Sequence, residues 1–324
     1  MRKFICRLAN NLLRPIKLRV LEAKDLADLQ NQNRNLISLY NTRSRWKNEK
    51  GDSLCCIVFS KDRAMQLHAF LTSFREMIQK PVTVHVLYYV STPNHKRSYD
   101  DLQKLHSKHV AIFHRQKNNA SFQEDLLSLI AGFDDNRIVF FVDDIVATEK
   151  INFADLLAFD PDSFVPSLRL GLNIRKNYTV GQNQPLPEFH SHMAIDEDKI
   201  VWNWHNGFLD WGYPLSIDGN IFSRLEILEM LKLISFSAPN SLEDKLQNFM
   251  PLFSERLGVA YKKSRIINIP CNKVQSENRN ISGDIHQDEL LRKWQDGLSI
   301  DLEKIYGYTN ISPHEEIGIS FVDR

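Results

Sequence analysis

The stretch Leu54-Cys-Cys-Ile-Val-Phe59 is an uninterrupted apolar run, and the polar turn Ser60-Lys-Asp-Arg63 follows it directly. An apolar run of this length is typical of a strand that is buried on both faces of a sheet. After the turn, apolar residues recur at the period of about 3.6 residues that marks a helix, at Met65, Leu67, Phe70, Leu71, Phe74 and Ile78. The sequence therefore predicts a strand, a polar loop and a helix in that order.

The same alternation continues toward the C-terminus. Strands are predicted at 82–90, 110–113 and 138–142, and helices at 94–107 and 122–130 lie between them. Alternating strands and helices indicate a parallel sheet with right-handed crossovers. The predicted fold class is α/β, a Rossmann-like three-layer sandwich around a mixed, mostly parallel sheet.

The remaining segments are assigned around this domain. Residues 1–50 are predicted as a helical N-terminal extension, because the apolar residues after position 20 have helical spacing. The main domain is predicted to span 51–275, and residues 276–324 to form a tail that packs on it. Between Asp144 and Asp218 many prolines and aromatic residues predict a pocket wall rather than sheet core.

Three further elements are predicted in the second half of the chain. Helices are expected at 223–233 and 242–257, and a strand is expected at 265–269. The tail carries one amphipathic stretch near 289–294. Neither an internal repeat nor a low-complexity tract is found.

The composition is that of an ordinary globular protein. The chain has 324 residues, 43% hydrophobic and 25% charged, and a formal net charge of +1. This length can bury a full core without oligomerisation. A nucleic-acid partner is not expected, because dedicated binders gather many uncompensated Lys and Arg side chains on one face.

The cysteines and the N-terminus bear on location. Cys55 and Cys56 are adjacent in the predicted strand and point to opposite faces, so buried reduced thiols in a cytoplasmic protein are expected of these and of Cys6 and Cys271. No stretch approaches the roughly 20 apolar residues of a membrane span. The basic amphipathic segment 1–20 is interpreted as a helix docked on the domain; peripheral contact with the inner face of the membrane is the alternative.

Two adjacent carboxylates, Asp143 and Asp144, end the predicted strand Ile138-Val-Phe-Phe-Val142. Ligands of open α/β sheets gather outside the carboxyl ends of the strands. Two carboxylates there can hold a divalent cation, Mg²⁺ or Mn²⁺, which bridges diphosphate oxygens. A solvent-facing turn or a helix cap is the structural alternative.

From Leu54 to about Leu257 the order of elements resembles that of the GT-A glycosyltransferases, and within them the bacterial enzymes of the family 2 group. Cys56-Ile-Val-Phe-Ser-Lys-Asp-Arg-Ala-Met-Gln-Leu67 is similar to the first strand and nucleotide-side loop of these enzymes, and Phe140-Phe-Val-Asp-Asp-Ile145 is similar to their D-x-D region. Ile145 stands at the third position of that motif, so either Asp144 is the main metal ligand or metal dependence is weak.

The resemblance implies a nucleotide-sugar donor site at this edge of the sheet. Lys61 or Arg63 could pair with diphosphate oxygens, and Asp62 with ribose hydroxyls or a base N–H. Solvated surface charges and turns are the alternative for each candidate. The full set of donor candidates is Ser60, Lys61, Asp62, Arg63, Arg115, Asp218 and Gly219.

A second group of candidates concerns the sugar. Aromatic side chains suit the apolar faces of sugar rings, and four of them cluster in one Gly-containing loop, Trp202, Trp204, Trp211 and Tyr213. We expect them to form an acceptor or sugar wall, with ordinary hydrophobic packing as the alternative.

The resemblance also implies a catalytic base. An inverting transferase needs a carboxylate that takes the proton of the acceptor hydroxyl, and Glu243 or Asp244 stands where the family carries an acidic pair. Acids at the start of a helix are the structural alternative. His286 or His314 is a candidate for a further metal ligand.

The predicted function is transfer of a sugar from a nucleotide-sugar donor to a glycan or lipid-linked acceptor, with inversion, in the synthesis of bacterial surface polysaccharide. A sugar-phosphate nucleotidyltransferase on the same fold is one alternative, although its usual Gly-rich loop is missing at Ser60–Arg63. A non-catalytic glycan-binding protein is another. A Ser-His-Asp hydrolase and a zinc site are not expected, because a nucleophile elbow and paired Cys or His residues are lacking.

Overall fold

The computed structural model describes residues 23–45, 51–106, 111–190, 197–270 and 287–324. Four features discussed above lie outside these residues, namely the basic segment 1–20, Cys6, Cys271 and His286.

The central sheet has five strands, β1 (Leu54–Lys61), β2 (Val84–Tyr89), β3 (Ala111–Arg115), β4 (Arg137–Val142) and β10 (Ile221–Ser223). Their order is β10-β4-β1-β2-β3. The first four strands run parallel, and β10 pairs with β4 in the antiparallel sense. The prediction of a mixed, mostly parallel sheet is confirmed.

Helices cover both faces of this sheet. The first four are α1 (Ala23–Thr42), α2 (Ala64–Met77), α3 (Pro93–His106) and α4 (Phe122–Ala131). Side chains of β1 alternate between two cores because successive strand residues point to opposite faces. Cys56 packs in a core with Phe70 of α2, whereas Ile57 packs in a second core with Leu126 of α4. The predicted three-layer arrangement follows.

The region between 144 and 218 is more regular than the sequence indicated. Strands β6 (Phe164–Ser167), β9 (Lys199–Asn203) and β11 (Leu257–Tyr261) form a second sheet in the order β6-β11-β9. The expectation of a wall without sheet structure was wrong here, since β9 pairs with a strand far along the chain. Leu257 belongs to β11 rather than to the predicted helix 242–257.

That predicted helix is in fact divided. It consists of α7 (Pro239–Leu246), a 3₁₀ turn at Gln247–Phe249 and α8 (Met250–Phe253). Pro251 explains the division, because proline is accepted in the first turn of a helix and disrupts a helix interior. The neighbouring helix α6 (Arg224–Lys232) agrees with its prediction.

Short elements complete the fold. Strand β5 (Ile145–Ala147) pairs with β12 (Ile266–Asn268), which is the predicted strand at 265–269. The others are α5 (Phe153–Leu157), β7 (Lys176–Asn177), β8 (Gln182–Asn183), α9 (Gln287–Gln295), β13 (Leu298–Ile300) and β14 (Phe321–Asp323).

Both ends of the described chain pack on the main domain. Leu39 of α1 is buried, and the Asn35 side chain donates a hydrogen bond to the carbonyl of Leu233 at 3.2 Å. Near the C-terminus, Trp294 is buried and the guanidinium of Arg324 lies 3.6 Å from the centre of its ring. In the part of the chain described, no helix combines the length and the apolar character needed to span a bilayer.

The adjacent cysteines lie where the sequence predicted. Cys55 and Cys56 are both buried and carry free thiols. Burial raises the pKa of both thiols, because the thiolate loses its hydration. Neither thiol is therefore primed as a nucleophile.

Candidate functional site

The parallel pairing of β1 with β4 creates the site. Phe59 stands opposite Val142 in the register of the two strands. Both strands end at the same edge of the sheet, so the turn that begins at Ser60 lies beside Asp143 and Asp144.

Asp143 is held by the turn after β1. The hydroxyl of Ser60 donates to Asp143 Oδ2 at 2.7 Å, and the backbone N–H of Lys61 donates to the same oxygen at 3.3 Å. The phenol of Tyr99 in α3 hydrogen-bonds in turn to Ser60. Burial raises the pKa of Asp143, with the charge of Asp144 adding to the effect and Arg63 opposing it.

Arg63 lies between the two carboxylates. Its Nη1 atom donates to Asp143 Oδ1 at 3.0 Å and to Asp144 Oδ2 at 2.9 Å. The Arg63 side chain is only 12% exposed. One guanidinium nitrogen therefore bridges the pair of acids that the sequence predicted as metal ligands.

Asp144 retains one unsatisfied oxygen. Its Oδ1 atom is buried and has no hydrogen-bond partner among the described residues. Burial raises the pKa of Asp144, the guanidinium of Arg63 lowers it, and the charge of Asp218 raises it further. Because a buried carboxylate oxygen without a partner is costly, this atom marks a place where a ligand is expected.

His314 comes to the site from the C-terminal segment. Its Nε2 atom lies 3.0 Å from Asp218 Oδ2. Strand β12 supports this placement, because the backbone N–H of Asn268 bonds to the carbonyl of Pro313 and that of Ile269 bonds to the carbonyl of Asp144. Burial disfavours the imidazolium, but the hydrogen bond to Asp218 and its charge outweigh burial and raise the pKa of His314.

Glu243 completes the group. It lies in α7, and its Oε1 atom accepts a hydrogen bond from the backbone N–H of Ile217 at 3.1 Å. Burial and the charge of Asp218 raise the pKa of Glu243, while Arg169 lowers it. We call Arg63, Asp143, Asp144, Asp218, Glu243 and His314 the carboxylate cluster.

Asp244, the other candidate base, lies outside this cluster. Its side chain is 67% exposed and pairs with Lys245 at 3.1 Å. Neighbouring positions of a helix point about 100° apart, so only one of the two acids can face the cluster. Of the two acids, Glu243 is the one that faces the cluster.

Other donor candidates have structural partners. Asp62 adopts a φ of 56°, and its Oδ1 atom accepts a hydrogen bond from the N–H of Ser91 at 2.8 Å, which joins the ends of β1 and β2. The ammonium of Lys61 donates to Asn119 Oδ1 at 3.2 Å. Arg115 is exposed at the end of the edge strand β3.

Gly219 is required by the backbone beside Asp218. Its φ is 79°, in the left-handed region that favours glycine. An added Cβ would lie 2.6 Å from Ile266 Cδ1. The residue thus allows the tight turn that carries Asp218 to the cluster.

The prediction that four aromatic side chains form a sugar wall was wrong for three of them. Trp202, Trp204 and Trp211 are at most 1% exposed and pack against one another, with ring centroids 4.7 and 4.9 Å apart. They form core beneath the loop because large apolar rings gain more from burial than from exposure. Tyr213 is half-buried, and burial together with the charge of Glu243 raises the pKa of its phenol.

Sequence reasoning missed Arg169. It is buried and forms an ion pair with Asp210 at 2.8 Å. Its charge also acts on Glu243, Tyr213 and His314. The sequence feature that could have identified Arg169 is its position inside the apolar run that follows β6. A charged side chain in such a run is expected to be buried, and a buried charge needs a partner.

A separate cavity of about 460 Å³ lies between α1 and the start of β11. Its lining includes Leu39, Arg43, Glu226 and Arg256, and no member of the carboxylate cluster. The candidate site is therefore identified by the convergence of titratable groups and not by this cavity.

The chain has a mixed α/β fold with a mostly parallel central sheet. It is similar to S. aureus TarS 1-349 in complex with UDP-GlcNAc, at 16% identity and a TM-score of 0.46 over 75% of this chain and 71% of that one. A mannosyltransferase, PcManGT from Pyrobaculum calidifontis in complex with GDP-Man and Mn²⁺, is similar at 16% identity and a TM-score of 0.29 over 46% of this chain and 47% of that one.

One curated protein is also similar in sequence. A bifunctional glycosyltransferase of Dictyostelium discoideum, pgtA, is 25% identical over 190 residues, which cover 53% of this chain and 24% of that protein. The chain thus spans about a quarter of the length of this curated relative. A UDP-glucose pyrophosphorylase is also among the similar structures, at 10% identity, a TM-score of 0.36 and coverage of 67% of this chain and 93% of that one. No protein-family model matches the chain.

The cluster offers few protein ligands for a metal. Within the described ranges, no three His, Cys, Asp or Glu residues are arranged to hold a metal ion. Asp143 and Asp144 nevertheless supply two carboxylates, and Asp144 Oδ1 is free to bind. Mg²⁺ at phosphate sites is commonly held by one or two carboxylates and completed by phosphate oxygens and water. The residues fit a divalent cation of that kind.

Proposed function

We propose that this protein transfers a sugar from a nucleotide-sugar donor to an acceptor hydroxyl, with the reaction centred on the carboxylate cluster. One observation carries the proposal: the turn after β1, the acids after β4, and Glu243 of α7 act on one another, through Arg63 and through the charge of Asp218. These contacts support the assignment of a donor site and a general base to the carboxylate cluster.

The donor half of the site is assigned to the sheet edge. Asp143 and Asp144 would hold Mg²⁺ or Mn²⁺, which when bound neutralises the charge of the departing diphosphate. Arg63 and Lys61 supply further positive charge for phosphate oxygens. The nearby pair of Asp218 and His314 is assigned to the hydroxyls of the donor sugar.

Glu243 is the proposed base. The acceptor oxygen attacks the anomeric carbon, the bond from that carbon to the diphosphate breaks, and the nucleoside diphosphate leaves with the bonding electrons. Glu243 takes the proton of the acceptor hydroxyl. Attack opposite the leaving group inverts the anomeric configuration. Because burial raises its pKa, Glu243 holds a proton more readily than an exposed carboxylate does.

The acceptor and the location are finer parts of the proposal. A glycan or lipid-linked acceptor, in bacterial surface polysaccharide synthesis, rests on resemblance to the GT-A enzymes alone. A cytoplasmic location is in keeping with the free thiols Cys55 and Cys56.

A nucleotide-sugar panel tests the proposed reaction. Release of free nucleoside diphosphate is measured with Mn²⁺ or Mg²⁺ for wild type, Glu243→Gln and Asp244→Asn. We expect Glu243→Gln to lower the rate by about 10²-fold or more, the range for loss of a general base, and Asp244→Asn to resemble wild type. Equal rates for Glu243→Gln and wild type would remove Glu243 from the mechanism.

Adding a nucleoside triphosphate together with a sugar phosphate to the panel separates the alternatives. A nucleotidyltransferase would release pyrophosphate from a nucleoside triphosphate and a sugar phosphate instead. A non-catalytic binding protein would turn over none of the donors.

A further inference from the structure

We propose that Arg63 is an internal counter-ion of Asp143 and Asp144 that a divalent cation must displace in order to bind. This inference rests on the proposed function, since it concerns the same two acids. It assigns Arg63 a role different from that of a permanent phosphate ligand.

The contacts of Arg63 are the first observation. Its Nη1 atom donates to one oxygen of each carboxylate, at 3.0 and 2.9 Å. The side chains of Asp143 and Asp144 are only 4% and 10% exposed. Two carboxylates with so little access to water need a nearby cation, because buried charges are strongly destabilising without one.

The position of the Arg63 guanidinium is the second observation. Ser60 and the backbone N–H of Lys61 both donate to Asp143 Oδ2, whereas Arg63 Nη1 lies between Asp143 Oδ1 and Asp144 Oδ2, at 3.0 and 2.9 Å. Asp144 Oδ1 is the one oxygen of the pair without a partner among the residues described. A divalent cation that bound Asp143 Oδ1 and Asp144 Oδ2 together would need the space that Nη1 now fills.

The backbone around Arg63 allows such an exchange. The backbone N–H of Arg63 donates a hydrogen bond to the phenol of Tyr99 at 3.2 Å. The side chain of the preceding residue, Asp62, accepts a hydrogen bond from the N–H of Ser91. The turn can thus stay in place while the long Arg63 side chain changes direction. A released guanidinium remains at the same edge of the sheet, where a diphosphate is a suitable partner.

Displacement predicts coupling between cation and nucleotide. Each ligand relieves a cost for the other: the cation frees Arg63, and the diphosphate gives it a new partner. Such coupling is reciprocal. Without nucleotide, a bound cation separates Arg63 from the two carboxylates and no diphosphate replaces them. The apparent affinity of the protein for the cation is therefore reduced.

Titration of free Mn²⁺ by electron paramagnetic resonance tests this without any turnover. Wild type, Arg63→Gln and the control Lys61→Gln are compared, with and without UDP or GDP. Lys61→Gln removes one positive charge from the same turn, but the Lys61 ammonium donates to Asn119 rather than to the two acids. Circular dichroism checks the fold of each variant.

We expect Arg63→Gln to bind Mn²⁺ without nucleotide about tenfold more tightly than wild type, a typical size for coupling between sites. Without nucleotide, Lys61→Gln should change the affinity for Mn²⁺ less than about threefold, as expected for a screened charge nearby. The nucleoside diphosphate should strengthen Mn²⁺ binding to wild type more than to Arg63→Gln. If Arg63→Gln does not fold, Arg63→Lys takes its place and should bind Mn²⁺ more tightly than wild type.

Unchanged or weaker Mn²⁺ binding by the Arg63 variant would overturn the inference, and so would absence of Mn²⁺ binding by every protein tested. The proposed function has its own outcome in the same experiment. If wild type binds neither UDP nor GDP at any Mn²⁺ concentration, the proposed function fails, whatever Arg63 does. Nucleotide binding with no effect of Arg63→Gln on Mn²⁺ would leave the proposed function standing and remove the counter-ion role.

Discussion

Adding one methyl group at Gly258 should strongly destabilise the protein. Gly258 lies in β11 opposite Trp202 of β9. A Cβ built there would be 2.3 Å from two carbon atoms of the Trp202 ring, far below an ordinary contact of about 3.5 Å or more between carbon atoms. The ring or the strand would have to move by about 1 Å.

The Trp202 ring has little room to move. It is fully buried, and its Nε1 donates a hydrogen bond to the carbonyl of Trp211 at 3.0 Å. Trp204 and Trp211 pack against its faces and edges. Overpacking of a core costs about 1–3 kcal/mol and sometimes more, so we expect Gly258→Ala to lose about 3 kcal/mol.

Urea unfolding followed by tryptophan fluorescence and circular dichroism measures the effect. With a slope of about 3 kcal/mol per molar urea, the upper end of the range for small proteins, the midpoint should fall by about 1 M. Gly132→Ala is the matched control, since its Cβ would meet nothing closer than 3.5 Å. That variant should unfold close to wild type.

A Gly258→Ala protein within about 0.5 kcal/mol of wild type, the usual size of a surface substitution, would refute the reasoning. Such a result would mean that the ring of Trp202 can move aside. The sequence-based interpretation of these tryptophans as a solvent-facing sugar wall would then be open again.

Three further predictions concern buried polar groups. Arg256→Met leaves Glu226, now bonded to Arg256 at 2.6 and 2.9 Å, as an unpaired buried charge, and should cost about 3–5 kcal/mol in urea unfolding; a loss below about 1 kcal/mol would contradict this. Burial lowers the pKa of His68 to about 4. As the pH falls from about 6.5 to 4, the unfolded chain therefore binds a proton at His68 that the folded chain does not bind. The free energy of unfolding should drop by up to about 3 kcal/mol over this range. Unfolding measured across this range should show a smaller drop for His68→Gln; equal slopes would argue against a neutral imidazole at His68 in the folded protein. Asp62→Ala keeps a φ of 56° and loses the bond to Ser91, so it should be less stable by about 1–3 kcal/mol, and Asp62→Gly should recover part of that loss; thermal unfolding that ranks Ala above Gly would be the contrary result.

Local patterns determined the parallel part of the fold. Strand β1 is an apolar run bounded by a polar turn, and α2 is a continuous 3.6-residue pattern, so each can be identified from its own residues. The same holds for β4, and with it for Asp143 and Asp144 at its end. Parallel strands end at a shared edge, which is why the meeting of Ser60 with Asp143 could also be predicted.

Long-range pairing was not predictable in the same way. Strand β9 is short, and its partner β11 lies far along the chain. The second sheet therefore could not be predicted from the local spacing of apolar residues. The burial of Trp202, Trp204 and Trp211 follows from that sheet. Aromatic residues suit both a core and a binding wall, and only the surroundings distinguish the two.

The carboxylate cluster also has features that the sequence predicted and features that only long-range packing decided. The amino-acid sequence alone determined which acids follow β4 and that Glu243 and Asp244 are adjacent in one helix, because those positions depend on neighbours in the chain. Only the tertiary structure decided that Glu243 rather than Asp244 faces Asp218, that His314 returns to pair with Asp218, and that Arg63 bridges the two aspartates. Such contacts depend on where distant elements pack. The residues next to a charged side chain in the sequence do not show which distant residue will pair with it once it is buried.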